Sequence, residues 1–125
     1  MVEKSTESKT DEGFVIDFTQ PIFNLNETDE QYNNKPVAER ATLLKFAQEG
    51  LLGPEKQGET VEGVEKLRRY ELAILIGNQP TTAKLKSDDI ALIKKRIGEL
   101  FPSLIVGQTW PMLDRIAPKR VKKDA

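Results

Sequence analysis

A chain of 125 residues with a formal net charge of −1 is long enough for one hydrophobic core and too short for two. It contains no cysteine and no histidine. Disulfides, thiolate nucleophiles, Cys-ligated metals, the commonest metal ligand and the commonest general base are therefore excluded. Only carboxylate, Lys or Tyr chemistry is left for catalysis, so we expect a protein that is not an enzyme and takes no cofactor or metal.

Met1 to Thr10 is too polar to be the apolar region of a signal peptide, and the longest apolar run, Leu72 to Ile76, is far too short to cross a bilayer. We expect a soluble, cytoplasmic protein with no membrane partner. Charge is uneven along the chain. Residues 1–30 carry eight acids against Lys4 and Lys9, a local −6, whereas the last eleven carry five basic residues against Asp124, a local +4. Opposite ends of this kind are compatible with intramolecular attraction, with head-to-tail self-association, or with two solvated tails.

Residues 1–12 hold almost no apolar side chains beyond Val2 and are expected to form a disordered acidic arm. From Phe14 the apolar positions alternate through Ile16 and Phe18, predicting a short strand over Phe14–Thr19, and Pro21 breaks it before a second extended piece at Ile22, Phe23 and Leu25. Asn24 to Asn34 reads as a loop. Pro36 is placed to open a helix with Val37, Ala41, Leu44 and Leu51 on one face, stopped by Gly50, Gly53 and Pro54. Thr60 is the expected cap of the next helix, with a stripe of Val61, Val64, Leu67, Ile74 and Leu75 that broadens through Leu72, Ala73 and Ile76 and turns into the centre of the domain. Gly77, Asn78 and Pro80 end it.

Thr81 to Leu85 reads as a short extended piece. The clearest helix follows: Ser87 as cap, Asp88 and Asp89 in the first turn, Ile90, Ile93, Ile97, Leu100 and Phe101 on one face, and Pro102 as the stop. A last apolar element runs from Leu104 to Ile116, where Gly107 and Pro111 predict a kink or a break. No repeat is present. The expected architecture is mainly α: a small bundle of about four helices with a short N-terminal extended element, a single domain over 13–116 and a basic flexible tail over 117–125.

Candidate recognition residues are few. Trp110 stands beside Gln108 and Thr109, one turn beyond Val106, where the ordinary role of a lone Trp is packing, and Phe14, Ile16 and Phe18 form an apolar entry strand; these four apolar residues are the candidates for binding a protein partner. Lys94, Lys95 and Arg96 form a basic cluster whose simplest explanation is a solvated helix face. With Lys119, Arg120, Lys122 and Lys123 they make the nucleic-acid alternative, which lacks interleaved aromatics and would act only by salt-sensitive attraction. Lys66, Arg68, Arg69 and Tyr70 are surrounded by Glu62, Glu65 and Glu71 and read as a charged helix surface.

The segment order "IDFTQPIFNLNE", "EKLRRYELAILI", "LKSDDIALIKKRIGELFPSLIVGQTWPMLD" resembles a family of small tailed-bacteriophage proteins over roughly Phe14 to Arg115. That resemblance implies a phage-encoded viral protein in the host cytoplasm or associated with the virion, acting in virion assembly or host takeover, and it carries no functional residues. Together with the missing catalytic groups, it leads us to expect a protein–protein interaction protein with a phage or host partner. The apolar surplus in Leu104–Ile116 must be covered by folding back or by pairing with a second copy, so a homo-oligomer is also expected.

Overall fold

A computed structural model describes residues 13–79 and 81–119. The expected acidic arm, and Arg120, Lys122 and Lys123 of the tail, lie outside these residues. The order of elements is β1 (Phe14–Asp17), α1 (Asp29–Asn33), a single 3-10 turn (Val37–Glu39), α2 (Leu43–Leu52), α3 (Gly63–Gly77), β2 (Thr82–Leu85), α4 (Ser87–Leu100) and α5 (Ser103–Leu113). The protein is mainly helical, with a two-stranded sheet.

The sheet joins the N-terminal strand to the strand between α3 and α4. β1 pairs antiparallel with β2, Phe14 opposite Leu85 and Ile16 opposite Ala83. Alternation then sends Ile16, Ala83 and Leu85 into the core and leaves Val15 and Lys84 outside. Gly13 enters the strand at φ +82°, where a β-carbon would collide with the Leu85 carbonyl, so no other residue enters this turn without strain.

Residues 18–22 do a second job. The carbonyls of Phe18 and Gln20 accept hydrogen bonds from Leu44 and Leu43, at 3.0 and 2.9 Å, and Ile22 donates to Ala41 at 3.0 Å. Helix α2 is thus capped by a distant extended segment, and Thr42 makes no side-chain cap. This corrects the expected start at Pro36: residues 40–42 are held extended against 20–22, and only the 3-10 turn precedes them. The expected loop at Asn24–Asn34 also contains α1, whose Thr28 and Gln31 form a complete capping box.

Helix α2 packs against both α3 and α4, and α4 packs in turn on α5. Its buried Leu43, Ala47 and Leu51 meet Leu72, Ala73 and Ile76 of α3 and Ile90, Ile93 and Ile97 of α4 in one core. Ile93 and Ile97 are fully buried as expected, and α2 is the main partner of their helix. Lys86, not Ser87, is the N-cap residue of α4.

Helix α3 departs most from expectation. It begins at Gly63 with Glu62 as N-cap, leaving Thr60 and Val61 outside. Its buried residues are Arg69, Leu72, Ala73 and Ile76, while Val64, Leu67, Ile74 and Leu75 of the anticipated core stripe are exposed. At 100° per residue the two sets lie on opposite faces, so α3 has two apolar faces and only one is used in the fold.

Helix α5 runs unbroken from Ser103 through Gly107 and Pro111 to Leu113. Pro111 stands in the final turn, where it takes from the Gly107 carbonyl the donor that any other residue would supply, and a Schellman cap follows: Arg115 and Ile116 donate to the carbonyls of Met112 and Pro111 at 3.0 and 2.7 Å. Met112 and Leu113 are buried, so folding back covers much of the apolar surplus.

Candidate functional site

Strand β1, helix α4 and the end of α5 meet in an open groove of about 590 Å³. Phe14 and Trp110 both line it, together with Ser87, Ile90, Ala91, Lys94 and Lys95 of α4 and with Asp114 and Arg115. Phe14 is 41% and Trp110 37% exposed. Two of the four candidate recognition residues, 96 positions apart in the chain, are therefore brought together. The other two are not: Ile16 and Phe18 are buried in the core and free for no partner.

Trp110 is held by its edge. Its Nε1–H donates to the Lys94 carbonyl at 3.0 Å, and its ring rests on Gly98, where a β-carbon would come within 3.0 Å of it. A side chain at position 98 would push the indole back from α4 by a few tenths of an ångström. Each aromatic ring faces a cation: Lys94 Nζ lies 5.1 Å from the Trp110 ring and the Arg115 guanidinium 4.0 Å from the Phe14 ring.

Lys94 is neutralised by Asp114, at 2.9 Å, but Arg115 pairs with no carboxylate among the described residues and donates only to the Leu113 carbonyl, at 2.9 Å. It is also held at φ +63°, a left-handed conformation costly for a side-chain-bearing residue. A glycine would cap this helix more cheaply, so the cap keeps a charged side chain at the groove at some backbone cost.

Gln108 and Thr109, which the sequence sets beside Trp110 as polar ligand contacts, are turned inward. Gln108 exchanges two 2.8 Å hydrogen bonds with the Phe23 backbone, in the manner of a strand partner, and Thr109 donates to the Ile105 carbonyl at 2.9 Å. Both are buried and saturated by the fold.

The basic cluster does not form one surface. Arg96 is fully buried and corrects the expectation of a solvated face: its Nε donates to Gly50 O at 2.8 Å, its Nη2 to Gly53 O and Pro54 O at 3.0 and 2.6 Å, and its Nη1 to Glu99 at 2.7 Å. One guanidinium thus satisfies carbonyls at the end of α2, where the helix dipole favours positive charge. Lys95 bridges Glu59 and Glu99, at 3.1 and 3.0 Å. Hydrogen bonds to Glu99 and Glu59 raise its pKa, and its hydrogen bond to Glu59 lowers that carboxyl. Burial pushes Glu99 up, but the bonds from Lys95 and Arg96 outweigh it and leave its pKa below the ordinary value. Lys119 is exposed.

A larger groove of about 800 Å³ between α3 and α4 is lined by Glu59, Glu62, Glu65, Asp88 and Asp89 facing Arg68, Arg69, Lys86 and Lys95. Its opposed charges nearly cancel and suit an ion of neither sign. No set of carboxylates among the described residues converges as a metal site would. No helix of the described residues is long and apolar enough to cross a membrane. Comparison with known proteins found no matching family model, no matching curated protein and no matching solved structure.

Proposed function

We propose that this chain is a non-enzymatic interaction protein that docks a protein partner in the groove between Phe14 and Trp110. The observation that carries this reading is the convergence of two exposed aromatic rings with an unpaired Arg115 in one open groove. Aromatic and Arg side chains at such a point are the residue types that dominate binding energy at protein interfaces. The chemistry suits a peptide segment that places an apolar side chain between the rings and a carboxylate against Arg115. The helices, arranged as a small bundle around α2, serve as the rigid support. A phage origin, a role in virion assembly or host takeover, and a host-cytoplasmic or virion-associated location rest on the resemblance of segment order alone.

Nucleic acid is the less favoured partner, because Lys94 and Lys95 are answered by carboxylates and Arg96 is inside the fold. Affinity capture from infected or host cells, comparing the native chain with Phe14→Ser and Arg115→Glu, tests the reading. The expected result is a protein partner retained by the native chain and lost from both variants, with unchanged circular dichroism. A partner indifferent to both substitutions, or none above background, would overturn it.

A further inference from the structure

The outer face of α3 is independent of the groove. Val64, Leu67, Tyr70, Ile74 and Leu75 are 80, 55, 55, 45 and 44% exposed. Contiguous apolar exposure of this kind on one helix marks an interaction surface. We propose that this face is the interface between two copies of the chain, with the α3 helices antiparallel about a twofold axis that crosses them between Arg69 and Tyr70.

At 100° per residue, Leu67, Tyr70 and Ile74 form the central ridge of the outer face, and Val64, Arg68, Glu71 and Leu75 line one flank. In a twofold antiparallel pair the same flank of each helix meets its counterpart in reverse order. With the axis at that point, Val64 is level with Leu75 of the second copy and Arg68 with Glu71. Leu67 enters the gap between Tyr70 and Ile74 of the second copy, as a knob enters a hole. The surface is thus complementary to itself in shape and in charge.

The charges select this arrangement. Glu71 is exposed and has no ion pair among the described residues, and Arg68 reaches Glu65 and Asp89 only at 3.6 and 3.4 Å with its side chain 40% exposed. Antiparallel pairing gives each a partner of opposite sign, twice over. Parallel pairing would turn this flank toward the opposite flank of the second copy, so Arg68 and Glu71 would not meet across the axis. The five apolar side chains offer about 500 Å² per copy, so a pair buries about 1,000 Å², the lower bound of specific interfaces. Association is therefore reversible, with a dissociation constant on the order of micromolar.

Sedimentation equilibrium on the full chain from about 1 to about 500 µM tests this. The native chain is expected to pass from monomer to dimer and Leu67→Glu to remain monomeric. Arg68→Glu and Glu71→Arg are each expected to weaken the dimer at least about tenfold, and the double exchange to restore it to within about threefold. Because the chain has no cysteine, Tyr70→Cys adds a single thiol next to the axis and is expected to yield a disulfide-linked dimer on mild oxidation. A native chain that stays monomeric throughout, a dimer insensitive to Leu67→Glu, or a double exchange that restores nothing overturns the proposal. Groove variants are expected to leave the dimer unchanged, so failure here is distinguishable from failure of the groove reading.

Discussion

Helices α3 and α4 have similar lengths and similar mixtures of apolar and charged residues, yet the fold uses them differently. On α4 one apolar face exists, and it is buried through Ile90, Ile93 and Ile97. On α3 apolar residues occupy two faces: Leu72, Ala73 and Ile76 enter the core, and Val64, Leu67 and Ile74 remain outside. Periodicity identifies a buried face when there is one stripe to choose. With two stripes it identifies a helix and does not say which side faces in; that choice is made by the neighbours, here by the fit of small Ala73 and of Gln48, which donates to the Ala73 carbonyl at 3.1 Å, between α2 and α3.

The contrast can be broken by substitution. Ile97→Ala, at the centre of the single face of α4, is expected to cost about 2–5 kcal/mol by urea unfolding, because a fully buried side chain leaves a cavity. Arg96→Ala should follow at about 3 kcal/mol, since it strips the carbonyls of Gly50, Gly53 and Pro54 of their shared donor and leaves Glu99 with one cation fewer. An Arg96→Ala variant as stable as the native chain would show that the guanidinium is not inside. By contrast, Lys94→Ala, which removes an ion pair with Asp114 and the cation over the Trp110 ring at the surface of the same helix, is expected to cost no more than about 1 kcal/mol.

A pH series sharpens the account of Lys95. Glu59 and Glu99 lie below their ordinary 4.5, so their contribution is present above that pH and is lost as pH falls through their folded values. Lys95 lies above its ordinary 10.5, so its contribution is present below 10.5 and is lost as pH rises through its folded value. The stability difference between the native chain and Lys95→Gln is therefore expected to be flat near neutrality and to shrink as pH drops below 4.5. Urea midpoints that diverge further in acid would contradict this pairing. The smallest expected effect is that of Arg115→Gly: relief of the left-handed backbone offsets loss of the contact with Phe14, leaving a net change within about 0.5 kcal/mol.

What the sequence discloses is local, and what it conceals is mostly long-range. The Phe14 strand, the mainly helical class, the Ser87–Leu100 helix and its buried face are all legible from alternation, period and Pro102. The pairing of β1 with β2 is not, because the partners stand 65 to 71 residues apart and nothing local specifies them. For the same reason the start of α2 was hidden: its cap comes from the carbonyls of Phe18 and Gln20. Arg96 did carry a signal. It lies about 40° from Leu100 on the wheel, on the apolar side, whereas membership in a Lys-Lys-Arg run suggested a solvated face. Thr28 and Gln31 likewise spell a capping box inside a polar segment that reads as loop. The groove was half legible: Phe14 and Trp110 stand out as residues, but their meeting depends on the β1–β2 pairing and on the packing of α4 against α5.

The most direct test of the two-faced α3 is a pair of substitutions within that helix, Leu72→Ala and Leu67→Ala, compared by urea unfolding at a concentration low enough to keep the chain monomeric. Leu72 is 5% and Leu67 55% exposed. The expected result is a loss of about 2–4 kcal/mol for Leu72→Ala and no more than about 0.5 kcal/mol for Leu67→Ala. Equal losses, or a greater loss for Leu67→Ala, would contradict the assignment of the inner and outer faces.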